Sequence, residues 1–177
     1  MPLSKTKTAL RQNPMLCVML LLNLSLFATA FILQPPLEVW QGFITILLSP
    51  CGLITDYMAL AGAGSAFLNA GAVMLIGILI TLLLHVHYTG ATVASLSLMA
   101  GFALFGKNAL NILPIILGVY LYALFQKESF SKYIYIAFFG TCLGPVVSEF
   151  CVYLPMALIW RLAVGILSGV FIGFILP

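Results

Sequence analysis

The chain has 177 residues, of which 63% are hydrophobic and 6% are charged, with a formal net charge of +3. This composition excludes a soluble globular fold, because the surface helices of a soluble domain need a polar face. The net charge is too small to indicate nucleic-acid binding. The class that remains is an all-α, polytopic transmembrane helical bundle, in which helices satisfy the backbone hydrogen bonds inside the bilayer.

The chain starts with a basic segment at 1–14, which carries Lys5, Lys7 and Arg11. Basic residues are enriched in cytoplasmic loops, so this segment is predicted to be cytoplasmic. Residues 15–177 are predicted to form one transmembrane helical domain. Its first span, 15–33, ends at Gln34-Pro35-Pro36, since proline cannot continue a helix.

The next segment, 37–57, is apolar but interrupted by Ser49-Pro50-Cys51-Gly52 and Thr55-Asp56. Proline and glycine break helices, so this segment is a candidate for a re-entrant hairpin. The later apolar segments are 65–84, 91–105, 109–125, 133–154 and 156–176.

A parity argument fixes the predicted topology. If the basic N-terminal segment and the loop with Lys127 and Lys132 are both cytoplasmic, an even number of crossings separates them. Either 37–57 or 91–105 must then turn back. We predict that 37–57 does, because 91–105 contains no proline and no charge. The prediction is about six spans plus one re-entrant hairpin in the cell inner (plasma) membrane, with both termini cytoplasmic.

Polar residues inside the apolar segments are the functional candidates, since such residues are costly in a membrane. Asp56 follows a predicted break, and broken helices build transporter sites. Ser49 and Thr55 flank the same break. The alternative interpretation is an N-cap, in which Asp56 or Thr55 begins the next helix.

A second polar group comprises Asn69, Lys107, Asn108 and Asn111. Asn108 and Asn111 are three residues apart, so they are predicted to share one helix face. The group predicts either a polar solute pathway or hydrogen bonds between helices. Glu149 and Arg161 lie six residues on either side of Pro155 and predict a supporting ion pair at equal depth, because a buried charge needs a partner.

The sequence gives little support for a metal site or for an enzyme active site. His85 and His87 are separated by one residue and would not face the same way on a helix, so no metal site or cofactor is predicted. The segment 62–66 reads Gly-Ala-Gly-Ser-Ala and lacks the glycine two positions before the serine of an intramembrane serine nucleophile motif. An enzyme is therefore not expected. Gly165, Gly169 and Gly173 predict close helix packing.

Three segments carry a resemblance to a known family: SPCGLITDY at 49–57, GSAFLNA at 64–70 and GFALFGKNALNILPIILGVYLY at 101–122. They resemble a family of bacterial multi-pass membrane proteins that bears only a domain-of-unknown-function label. Members of that family are roughly double this length, which implies that the chain corresponds to an N-terminal half. The family implies no activity and no functional residues. The chain also resembles, in architecture only, one half of the urea-channel family, whose two inverted halves each combine spans with a re-entrant helix.

The predicted function is membrane transport, as a channel or carrier half, of a small polar or ionic solute. The expected partners are the lipid bilayer, the solute, and a second copy of the chain or a missing second half. The alternative is a structural or assembly subunit of a membrane complex without a pathway of its own.

Overall fold

The computed structural model describes residues 14–49 and 55–177, and these residues form an all-α bundle. The α-helices are α1 (Pro14–Leu33), α2 (Pro36–Leu48), α3 (Tyr57–Ala61), α4 (Ala63–Leu83), α5 (Gly90–Phe102), α6 (Leu113–Phe125), α7 (Ile134–Gly140), α8 (Gly144–Tyr153) and α9 (Leu158–Ile175). Short 3-10 helices, Phe130–Tyr133 and Thr141–Leu143, flank α7. The predicted fold class is confirmed. The predicted cytoplasmic segment, apart from Pro14, and the Pro50-Cys51-Gly52 part of the predicted break lie outside the described residues.

Four stretches of the described chain are long and apolar enough to cross a membrane, judged by length and composition. They are α1, α4, the nearly continuous helical stretch Phe130–Tyr153, and α9. Each of α2, α5 and α6 has 13 residues, which is about 20 Å of helix against a hydrocarbon core of about 30 Å. The segments 91–105 and 109–125 were predicted to cross the membrane. They form α5 and α6, and each of these helices is too short to cross on its own.

Helices α1 and α4 are antiparallel, and they define the first end of the bundle. The Asn23 side-chain amide donates to the Gly71 carbonyl at 2.8 Å, and the Ser65 N–H donates to Gln34 Oε1 at 3.1 Å. We call the end marked by Gln34, Gly62 and Ser65 the Gln34 end. Helix α2 starts two residues after Gln34, and α3 ends beside Gly62, which lies against the Gln34 side chain. Helices α2 and α3 therefore form a hairpin with both of its ends at the Gln34 end.

Helices α5 and α6 form a second hairpin at the opposite end of the bundle. Thr92, in the first turn of α5, hydrogen-bonds the Tyr135 hydroxyl at 2.9 Å. Tyr120, near the end of α6, stacks edge-on against Phe130 with ring centroids 5.5 Å apart. Tyr88, Phe130 and Tyr135 belong to one apolar cluster. Both ends of the α5–α6 hairpin therefore lie at this end, which we call the Tyr88 end.

The tips of the two hairpins meet inside the bundle. The Tyr57 N–H donates to the Leu104 carbonyl at 3.2 Å, and Asp56 pairs with Phe105 in an antiparallel bridge. Each tip thus satisfies backbone groups of the other, which a break in a membrane helix requires.

The predicted glycine contacts of α9 are present. Gly165, Gly169 and Gly173 are all buried, and α9 packs against α6 and α8. A Cβ placed at Gly173 would lie 2.1 Å from the Ile115 carbonyl oxygen. Only glycine allows the two backbones to approach this closely.

Candidate functional site

Asn69 fastens the tip of the α5–α6 hairpin to α4. Its amide nitrogen donates to the carbonyls of Ala103 at 2.7 Å and Lys107 at 2.8 Å. The side chain is buried, and its Oδ1 atom has no hydrogen-bond partner among the described residues. Asn69 lies six residues into α4, so the tip is held about 9 Å from the start of that helix.

Lys107 is a buried cation at the same tip, with 1% of its surface exposed. Its Nζ donates to Thr141 Oγ1 at 2.8 Å and lies 5.5 Å from the centre of the Phe102 ring. In the described part of the chain, no carboxylate lies within 4.0 Å of this ammonium group. Sequence reasoning missed Thr141, although its position between Gly140 and Gly144 marked a break in the predicted span 133–154.

Asn108 and Asn111 lie in the turn before α6 rather than on a helix face. Asn108 Oδ1 accepts from the backbone N–H groups of Leu110 and Asn111, each at 2.9 Å. Asn111 Oδ1 accepts from the Asn108 N–H at 2.9 Å. The prediction of a shared helix face was wrong, because asparagine side chains bond nearby backbone groups and so favour turns.

The same two amides connect the tip to its neighbours. Asn108 Nδ2 donates to the Ile46 carbonyl of α2 at 3.3 Å. Asn111 Nδ2 donates to the Gly106 carbonyl and to Ser148 Oγ, both at 2.9 Å. Ser148, on α8, was not among the predicted residues, since nothing local distinguishes this serine from others in apolar segments.

The residues around the first break act as helix caps. Asp56 Oδ1 accepts from the N–H groups of Met58 at 2.9 Å and Ala59 at 3.2 Å, and so caps α3. The Ser49 hydroxyl donates to the Thr45 carbonyl at 2.7 Å, at the end of α2. Thr55 is half-buried and directly precedes the cap. The capping interpretation of Asp56 is confirmed. Asp56 is also exposed, and it lies at the tip of the α2–α3 hairpin.

Glu149 and Arg161 do not form the predicted ion pair. Arg161 Nη1 donates to the Val152 carbonyl at 2.7 Å, across the turn between α8 and α9. Within the described residues, the one salt bridge joins Lys132 to Glu128. Glu149 Oε2 and Arg161 Nε are both buried without a hydrogen-bond partner there. Equal distance from Pro155 was not sufficient for contact, because Gly165 lies against Val147 and Cys151, the residues on either side of Glu149.

A groove of about 730 Å³ runs beside the hairpin tips, between the end of α2, the start of α6, and helices α8 and α9. Its lining is mostly leucine, valine and isoleucine. The polar lining residues are Ser49, Asn108, Asn111, Ser148 and Arg161. Of the other predicted pathway residues, Thr55, Asp56 and Lys107 lie at the tips, and Asn69 lies on α4 against the second tip. None of them is part of this lining.

No group of three or more His, Cys, Asp or Glu residues that could hold a metal ion occurs in the described ranges. His85 and His87 are exposed residues in the loop after α4. The polar groups available at the tips and in the groove are amides, hydroxyls, the Asp56 carboxylate and two cations, Lys107 and Arg161.

Comparisons with curated proteins and with solved structures found no match. A family model described as "Protein of unknown function (DUF1576)" matches residues 36–177. This match covers both hairpins, α4 and everything that follows, and it extends well beyond the segments that carried the resemblance. The chain therefore belongs to the DUF1576 family, whose function is unknown.

Proposed function

We propose that this protein transports a small polar or ionic solute across a cell membrane. One observation carries the proposal: two short helical hairpins from opposite ends of the bundle meet tip to tip beside a groove with polar residues. In transporters, broken helices that meet near the middle of the membrane form substrate sites. Irregular backbone at membrane depth is tolerated only where protein buries it or where it lines a wet cavity.

Both hairpins are re-entrant in this proposal, and only the four long helical stretches cross the bilayer. The α2–α3 hairpin and α4 would form one unit, and the α5–α6 hairpin and Phe130–Tyr153 the other, with opposite orientation. Inverted units of this kind are common in transporters. The amide contacts of Asn69 and Asn111 support the arrangement, because they tie the second tip to one helix of each unit.

The Tyr88 end faces the cytoplasm in this proposal. The loop with Lys127 and Lys132 follows α6 at that end, and α1 starts there after the basic N-terminal segment. The positive-inside rule therefore gives both regions the same orientation. Cysteine labelling from outside intact cells tests it: a cysteine replacing exposed Lys127 should be protected, and one replacing exposed Glu38 at the Gln34 end should react.

Solute flux into proteoliposomes tests the transport proposal. Stopped-flow light scattering would follow gradients of urea, glycerol, ammonium and small anions, with empty liposomes as the reference. Asp56→Asn is the sharpest variant, because asparagine caps a helix as well as aspartate but carries no charge. Glu38→Gln is its matched control, since Glu38 is also exposed but lies far from the tips.

We expect solute-specific flux that Asp56→Asn abolishes and Glu38→Gln leaves unchanged, with both variants folded. Flux that persists in Asp56→Asn would remove the Asp56 carboxylate from the pathway. No flux of any solute by folded, inserted protein would overturn transport by this chain and favour an assembly subunit.

A further inference from the structure

We propose that the groove binds a small organic anion with an apolar body, and that Arg161 and Ser148 hold its charged group. The inference names the ligand class of the groove, and its role as transport substrate rests on the proposed function. The groove combines one cation, a few hydroxyls and amides, and an extensive apolar wall.

The charge of the groove favours an anion. Arg161 is the only charged side chain among the described lining residues. Its Nη1 atom bonds the Val152 carbonyl, and its buried Nε has no hydrogen-bond partner among the described residues. A guanidinium group presents five N–H donors in a planar fork that matches a carboxylate. A carboxylate in the groove would accept hydrogen bonds from the guanidinium N–H groups that the Val152 carbonyl does not occupy.

A second donor lies one helical turn deeper. Ser148 Oγ accepts a hydrogen bond from Asn111 at 2.9 Å, which leaves the serine hydroxyl hydrogen free to donate. Ser148 precedes Val152 by four residues, so the two lie about 6 Å apart along α8. The Arg161 guanidinium is held at the Val152 carbonyl. Because the arginine side chain is long, one carboxylate can bridge the distance between this group and the Ser148 hydroxyl. Both amide hydrogens of Asn111 already take part in hydrogen bonds, so Asn111 has no amide hydrogen left to donate to a ligand.

The rest of the groove fits an apolar body. Leu113, Leu117, Leu162 and Ile166 line it, and a volume of about 730 Å³ lies within the range of small-molecule sites. Such sites are largely apolar, with a few placed polar groups that fix orientation. A hydrated inorganic anion would leave this wall uncovered. The groove is therefore assigned to an organic anion. We commit to a free solute because the proposed transport function requires a ligand that can leave, and a lipid headgroup is the alternative that the test below separates.

Binding to the purified chain in nanodiscs of neutral phosphatidylcholine tests the assignment by calorimetry. The probes are matched pairs of a carboxylate and its uncharged amide: benzoate with benzamide, and hexanoate with hexanamide. We expect at least one carboxylate to bind about tenfold or more tightly than its amide, as a charge-assisted hydrogen bond predicts. Arg161→Gln should abolish that preference, and Arg161→Lys should keep part of it.

Two further variants separate recognition from folding. Ser148→Ala removes the second donor without changing charge and should weaken carboxylate binding several-fold. Lys132→Gln removes an exposed cation at the Tyr88 end and should leave binding unchanged.

Each remaining outcome is decisive. Equal binding of every carboxylate and its amide would overturn the assignment, even if flux of neutral solutes were observed. Displacement of the carboxylate by added phosphatidylglycerol, with no carboxylate flux, would overturn it in favour of a lipid site. Arg161-dependent carboxylate binding, without flux of the carboxylate or of any other solute tested, would support the anion site while overturning the proposed transport function.

Discussion

The backbone N–H of Tyr57 donates to the carbonyl of Leu104 at 3.2 Å, and this bond joins the two hairpin tips. Asp56 and Phe105 lie directly opposite each other beside it. The two breaks in the helical bundle thus occur at one place and satisfy each other. Their contact positions the second tip, with Asn108 and Asn111, at the edge of the groove.

A disulfide between the tips should form readily. Opposed residues of an antiparallel pair have Cα atoms about 4.5–5.5 Å apart, within the range that a disulfide bridges. The double variant Asp56→Cys/Phe105→Cys would be made in a background that lacks Cys17, Cys51, Cys142 and Cys151. Mild oxidation should link the pair, detected by mass spectrometry of peptides, whereas Leu83→Cys/Phe105→Cys should stay unlinked. Failure of the first pair to form a link would contradict the tip contact.

Asn69 should matter for transport as well as for stability. Asn69→Leu removes two hydrogen bonds to the second tip and should lower the free energy of unfolding by about 1–3 kcal/mol. Asn23→Leu is the matched control, because Asn23 is also a buried amide and its bond to the Gly71 carbonyl joins α1 to α4 without contacting a hairpin tip. Thermal unfolding should show a loss in both variants, and flux measurements should show a strong loss only in Asn69→Leu. Equal flux in the two variants would argue against a role for the tip.

The effect of breaking the Lys107–Thr141 hydrogen bond on stability should depend on which of the two partners is removed. Thr141→Val leaves the Lys107 ammonium without its hydroxyl acceptor and should destabilise the fold by about 1–3 kcal/mol. Lys107→Met removes the buried charge itself and should be neutral or stabilising, since replacing buried charges with apolar groups often is. Unfolding of both single variants and the double variant gives the coupling energy. Additive effects would mean that the two side chains do not interact.

Close packing of α9 against α6 should tolerate no added methyl group at Gly173. Its Cβ would meet the Ile115 carbonyl oxygen at 2.1 Å, and a backbone atom cannot turn away as a side chain can. Gly173→Ala should therefore destabilise the protein by about 1–3 kcal/mol through overpacking. Gly101→Ala is the control, because no described residue lies within 4 Å of its Cβ position. That variant should be neutral or slightly more stable, and thermal unfolding of the pair decides the question.

The apolar composition was enough to predict the fold class, and local signals were enough to predict several helix ends. Pro35 and Pro36 mark the boundary between α1 and α2, and a break was predicted at 106–108, although α6 begins at Leu113 and not at residue 109. These features depend on hydrophobicity and on the missing N–H of proline, which act within a few residues. The capping role of Asp56 was foreseen for the same reason, since a cap needs only its own helix.

Long-range contacts determined the rest. The apolar segments 91–105 and 109–125 resemble two crossings, but α5 and α6 have 13 residues each, and the turn between them lies inside the bundle, where it contacts Asn69 and Tyr57. Thr141 and Ser148 were not predicted as partners of Lys107 and Asn111, because they reach them only through the packing of the stretch Phe130–Tyr153 beside the second tip. Glu149 and Arg161 are equally far from Pro155 in sequence but form no ion pair, because the packing of α8 against α9 decides which residues meet. Hydrophobicity is thus enough to predict which segments form membrane helices. The direction in which each short helix runs is determined by its packing against the long helices.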